Sequence, residues 1–293
     1  MRRRFSIIKA TALEILSEPL SLLILIFSLS LTVFASAFHY HQFGDPTRMA
    51  RDAGLSVILL GGMPFVIFSA VRSLRREIES STIHMVLVRP ISRSSFFISK
   101  CLGAFLAYLL FLATVSLNAL AIVRGAEIGA HIVANTGSIA KVWGISLLLA
   151  VSTIIVPLII AAILNRFFSF RFVLTSIMLM PVFAIIASAY SFNPALAFRY
   201  LPVAFIAGLP QFVFLVVAAS AAVRLKANQA VSLSLALLAL SLPALGNYYL
   251  SETLSKGGSM EGLYAIYAIA SAVPALLAAL LSGIYLINSK DLT

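Results

Sequence analysis

Charge is scarce in this 293-residue chain. Only 11% of its residues are Asp, Glu, Lys or Arg, against roughly 25% in an average soluble domain. No polar stretch is long enough to form a soluble domain, and 61% hydrophobic content with a mean hydropathy of +1.05 places the chain among membrane proteins. Cysteine is nearly absent. Cys101 stands alone, which excludes an intramolecular disulfide and any Cys-based metal site, and its place at the start of an apolar run reads as packing. No Asp, Glu, Lys, Arg or His falls near the middle of an apolar stretch, so the buried ionisable group that a proton- or ion-coupled carrier needs is missing. The four histidines, His39, His41, His84 and His131, all lie in first-half loops. None can pair with a nucleophile in a late span, as an intramembrane protease would require. There is also no Gly-rich loop ending in Gly-Lys-Ser/Thr, which excludes ATP hydrolysis by that route within this chain.

Apolar stretches close to the roughly 20 residues that cross a bilayer lie at about 20–38, 54–71, 97–123, 140–163, 172–190, 203–223, 230–248 and 263–287. They predict an all-α integral membrane protein with about eight transmembrane helices in a single transmembrane domain, 1–293. The breaks within 172–248, Asn193-Pro194 with Arg199 and then Arg224-Leu225-Lys226, are short, so six spans with re-entrant segments is the competing count. Six predicted spans carry an interior proline, Pro64, Pro157, Pro181, Pro210, Pro243 and Pro274. Each is either a hinge or one of the prolines that membrane helices tolerate. Gly61, Gly62, Gly103, Gly144, Gly208, Gly246 and Gly283 read as sites of close helix contact.

The formal charge of +11 is spread between apolar blocks rather than gathered in a patch, so it reports orientation and not nucleic-acid binding. With the N-terminus inside, 15 Lys/Arg residues fall on the cytoplasmic side and six outside, and both termini are cytoplasmic. Residues 2–18 carry Phe5, Ile8, Ala12 and Ile15 at helical spacing before Pro19, which predicts an amphipathic helix on the membrane surface. Arg2-Arg3-Arg4 and Ala35-Ser36-Ala37 imitate a cleaved secretory signal, but the long lead with Glu14 and Glu18 favours an uncleaved first span. His39 and His41 could bind a metal with Asp45 and His131. Two adjacent ligands rarely make a site, however, and interfacial polar residues explain them better, so no metal is expected. Asn118, Asn165 and Asn247 read either as substrate contacts or as interhelical hydrogen bonds.

The densest charge lies in Arg72–Lys100, which holds six of the 21 Lys/Arg residues and two of the ten acids. This loop must face water. From Ser73 its apolar side chains, Leu74, Ile78 and Met85, predict a short helix around 75–88, with Glu77 and Glu79 in its first turns and a turn at Pro90–Arg93. A helix of mixed character outside the membrane is either a docking element for a soluble subunit or a charged anchor.

In the order Arg76, Glu77, Glu79, Thr82, Leu87, Arg89, Pro90, Ile91, Ser92, Arg93, Phe96 or Phe97, Lys100 and Gly103, this loop resembles that of the ABC-2 type permeases. The NosY-like group is closest in appearance. Ser81 replaces the usual glycine. Ile8-Lys9-Ala10-Thr11 with Glu14 and Pro19 is similar to the family's N-terminal surface helix. Asn165-Arg166-Phe167-Phe168-Ser169 is similar to its polar break after the fourth span, and Ser289-Lys290-Asp291-Leu292 to its charged tail. The likeness is good over about residues 5–190 and poor over 191–260, and the family core has six spans.

The resemblance implies the membrane subunit of an ATP-binding-cassette exporter in a bacterial plasma (inner) membrane. Its partners would be a separate ABC ATPase, a second permease subunit and the lipid bilayer. The chain itself would be no enzyme and hold no cofactor, ATP being bound by the partner. The coupling loop would span 72–96, with Arg76, Glu77, Glu79, Thr82 and Leu87 on the coupling helix and Pro90, Ser92 and Arg93 shaping the return. A secondary carrier and a membrane-anchored enzyme are the alternatives. The lack of charge within the spans favours an amphipathic or lipid-like cargo.

Overall fold

The computed structural model describes residues 2–38, 46–79, 92–136, 145, 148–190, 194–245 and 262–289. Among them the chain is helical, with no strand. The helices are α1 (Arg2–Leu16), α2 (Pro19–Phe38), α3 (Pro46–Glu79), α4 (Arg93–Thr136), α5 (Val156–Phe168), α6 (Phe172–Tyr190), α7 (Pro194–Arg224), α8 (Ala227–Leu245) and α9 (Gly262–Ser289). Every predicted apolar stretch lies wholly or partly on one of α2 to α9. Six helices among the described residues are long and apolar enough to cross a membrane, and the bent α1–α2 pair makes a seventh if counted as one span. All-α membrane architecture is therefore established.

Helix boundaries follow local chemistry. Proline has no N–H to continue a helix, so Pro19 ends α1 and opens α2, and the two axes meet at 63°. Before it, the Ser17 hydroxyl donates to the Leu13 carbonyl at 2.6 Å. Ser92 caps α4: the Ser95 N–H donates to its Oγ at 3.3 Å, satisfying an otherwise unpaired first-turn donor. The Asn165–Ser169 break is the C-terminus of α5, where Ser169 takes a left-handed conformation (φ 54°) and its N–H reaches the Asn165 carbonyl at 3.1 Å. Ahead of Pro157 the backbone makes a π-helical turn over Val151–Ile155, a local widening of the kind seen where a helix adapts to an interruption.

The sequence places the end of the second span near residue 71 and a separate helix after it, and here the structure differs. Between Val71 and Glu79 there is no glycine or proline, and charged Arg and Glu are good helix formers. The helix simply continues. At about 1.5 Å per residue, the 34 residues of α3 and the 44 of α4 reach roughly 51 and 66 Å, well beyond a ~30 Å hydrocarbon core.

α3, α4 and α7 form the centre. α2 packs on α3 and α4, α9 on α7, and α6 on α4 with α5 outside it. Aromatic rings fill this centre, with Phe65 stacked on Phe111 at 4.7 Å and Tyr108 edge-on to Phe212 at 5.0 Å. Gly61 and Gly62 permit the approach of neighbours, because a Cβ on either would collide with Ser28 or Gln211. Two polar clasps cross the interior. Asn118 Nδ2 donates to Thr32 Oγ1 at 2.8 Å, and Gln211 Nε2 donates to the Ile58 carbonyl at 2.9 Å. Asn118 is thus an interhelical bridge, while Asn165 donates to the Phe170 carbonyl and holds the α5–α6 turn. Asn247 lies outside the described residues. Pro64, Pro181, Pro202, Pro210 and Pro274 sit inside helices.

Candidate functional site

Several helix ends meet at one face of the bundle. The Asn288 amide on the last turn of α9 donates to Ser94 Oγ at 3.2 Å, and Arg224 at the end of α7 donates to Ser289 Oγ at 2.9 Å. The first helix, the last turns of α3 and the first turns of α4 lie at this same face, joined by ion pairs.

At its centre is Lys100. It sits two turns into α4, where the helix is already packed, and its side chain is only 6% exposed. Burying an ammonium is costly unless it is paired and hydrogen-bonded, and α1 and α3 supply the partners. Lys100 Nζ lies 2.6 Å from Glu77 Oε1, 3.5 Å from Glu14 Oε2 and 3.4 Å from Ser73 Oγ. Outward from it, Arg76 reaches Glu14 at 3.6 Å and Glu18 at 3.5 Å, and Arg72 reaches Glu18 at 3.4 Å. Arg75 holds Glu79 at 2.9 Å along the helix. Three cations and three carboxylates therefore link α3 and α4 to α1 and the break after it, while the Arg75–Glu79 pair stays within α3. The outer pairs are exposed and individually weak, but the Lys100 contacts are sheltered.

Backbone proximity completes the joint. At Gly103, one turn beyond Lys100, an added Cβ would meet Thr11 Cβ at 2.6 Å and the Ile8 carbonyl at 2.8 Å. The absent side chain lets α1 lie directly on α4, while α1 turns Phe5 outward and buries Ile15 and Leu16.

The sequence profile of the ABC-2 family transporter proteins matches residues 3–181, more than half of the chain. The chain belongs to the ABC-2 transporter family. This ABC-2 protein is accordingly a multi-pass integral membrane permease, the membrane component of an ABC transporter. No curated protein and no solved structure matches it significantly.

Of the residues expected to couple the ABC-2 protein to a partner, five are described. Arg76, Glu77 and Glu79 ride on the last turns of α3, and Ser92 and Arg93 open α4. Glu77 points into the joint toward Lys100, whereas the Glu79 side chain is 59% exposed. Ser92 serves as a helix cap. Thr82, Leu87 and Pro90 lie outside the described residues, as do His39, His41, Asp45 and His84. Among the described residues no three His, Cys, Asp or Glu side chains are placed to hold a metal ion.

Sequence reasoning missed the roles of Glu14, Glu18 and Gln211. Glu14 lies on the last turn of α1 and Glu18 in the break before Pro19, so the two carboxylates together face the basic end of α3. Burial lifts the Glu18 carboxyl above its ordinary value of 4.5; Arg72 and Arg76 oppose the rise and Glu14 adds to it. A raised acid favours the protonated form in the folded state, so this contribution to stability is full below pH 4.5 and fades as pH rises above it. Glu18→Gln should therefore gain on the wild type in thermal midpoint between pH 4.5 and 7. A gap that moves the other way would mean that the two arginines outweigh burial.

Proposed function

We propose that this permease is the membrane half of an ATP-driven exporter, in which a separate ABC ATPase docks at the face carrying the joint. The face is then cytoplasmic, both termini lie inside, and two permease subunits, identical or similar, work with two ATPases in a bacterial inner membrane. ATP binding clamps the ATPase pair, and the clamp moves α3 and α4 between two states of the bundle. One observation carries the reading. The helix of the second span runs unbroken into the charged segment, and Lys100 ties that extension to α1 and α4. A push at the outer end of α3 thus reaches the transmembrane core without a flexible link. The absence of a phosphate-binding loop supports an external energy source.

Because Glu77 is engaged internally, the exposed Glu79 and the entry residue Arg93 are the better docking probes. Glu79→Lys combined with Arg93→Glu should lower co-purification of the ATPase at least about tenfold, equivalent to ~1.4 kcal/mol, with the unfolding midpoint nearly unchanged. Solubilised, folded permease that never brings down a nucleotide-hydrolysing subunit would sink the proposal.

A further inference from the structure

Beside the joint, between α1, the end of α3 and the start of α6, opens a cavity of about 460 Å³. This is within the ~300–1,000 Å³ of small-ligand sites. Three guanidinium groups line it, from Arg72, Arg76 and Arg171, together with the carboxylates Glu14 and Glu18. Leu174 contributes to its apolar wall. The lining carries a surplus of one positive charge. Arg72 and Arg76 are tied to the two acids only by long contacts of 3.4–3.6 Å. Arg171 makes no ion pair among the described residues and is exposed. Its position is nonetheless fixed, since the α5–α6 turn before it is closed by Ser169 and Asn165 and its own carbonyl accepts the Thr175 hydroxyl at 2.9 Å.

The surroundings set the depth of this cavity. Phe167, Phe168 and Phe170, on the same turn as Arg171, are 75%, 68% and 54% exposed. Rings so displayed beside Arg166 and Arg171 match a membrane interface, with apolar bodies in the acyl boundary and basic groups at the headgroups. A basic pocket between helices at headgroup depth is suited to the phosphate of an anionic phospholipid.

We propose that Arg72, Arg76 and Arg171 form a binding site for an anionic phospholipid of the surrounding bilayer. Its phosphodiester sits among the guanidinium groups and its glycerol end runs along Leu174. The single surplus charge matches a singly charged phosphodiester. Glu14 and Glu18 disfavour a phosphate of higher charge. The lipid wedges α1 against α3 and α6 and supports the joint from outside, a role separate from transport.

Native mass spectrometry of the full-length protein in detergent, with phosphatidylglycerol, phosphatidylethanolamine and phosphatidylcholine at equal amounts, tests the site. The wild type should retain phosphatidylglycerol about tenfold over either other lipid. Arg171→Gln should reduce that retention to the level of phosphatidylcholine, and Arg171→Lys should keep most of it. Phosphatidylglycerol should also raise the unfolding temperature of the wild type but not of Arg171→Gln, with the two lipid-free proteins melting alike. Equal retention of the three lipids, or unchanged preference in a folded Arg171→Gln, would overturn the proposal. Displacement of the lipid by millimolar glycerol 3-phosphate would assign the site to a soluble phosphate instead.

Discussion

Replacing Lys100 with alanine is expected to lower the unfolding free energy by about 3 kcal/mol, near the bottom of the range for breaking a buried ion pair. The lower end applies because Glu77 and Glu14 keep about a quarter of their side-chain surface exposed, 24% and 26%, and water can screen them once the cation is gone. Most of the loss comes from carboxylates left facing a packed helix. Lys100→Met, which preserves bulk and removes only charge, should therefore lose nearly as much. A cycle with Glu77→Ala isolates the pair, and its coupling energy should reach about 1–2 kcal/mol. Denaturant unfolding in mild detergent measures all four proteins. Additivity to within about 0.5 kcal/mol would show that the 2.6 Å contact contributes nothing specific.

The second large effect is expected at Gly103. Gly103→Leu should cost about 3 kcal/mol, the upper end for forcing extra bulk into a packed interface. An added carbon there meets the Ile8 backbone carbonyl as well as Thr11, and backbone has no rotamer with which to step aside. α1 must lift. Limited proteolysis should accordingly cut between α1 and α2 faster in the variant than in the wild type. Gly125 provides the contrast: its added Cβ would meet only the ends of the Leu149 and Ile145 side chains, at 3.1 and 3.4 Å. There the gain of up to about 1 kcal/mol in helix propensity offsets the contact, and Gly125→Ala should be close to neutral. If both variants behave alike, α1 is not seated on α4 through Gly103.

Hydrophobic runs made the helices legible, and the ends set by Pro19, by Ser169 and by Arg224–Lys226 were legible with them. The end of α3 was not, because a change from apolar to charged side chains resembles the end of a span while leaving the backbone free to stay helical. The joint was legible only in halves. Lys100 and Gly103 were visible as part of a family-like pattern, and Glu14 and Glu18 as acids that argue against a signal sequence. What joins them is the packing of α1 across the start of α4, a tertiary fact that no local pattern carries. Gln211 escaped for a related reason. An uncharged polar side chain in an apolar run gives no hint that it will find the Ile58 carbonyl 153 positions away.

The seating of α1 on α4 also bears on how the protein is made. Glu14 leaves the ribosome long before Lys100 and Gly103, the residues that receive its helix. At about 5–20 residues per second, the interval is roughly 4–17 s, during which α1 has neither its buried ionic partner, Lys100, nor its resting surface. Although made before α4, α1 is thus among the later helices to settle, and its docking marks the moment when α4 has been delivered to the membrane.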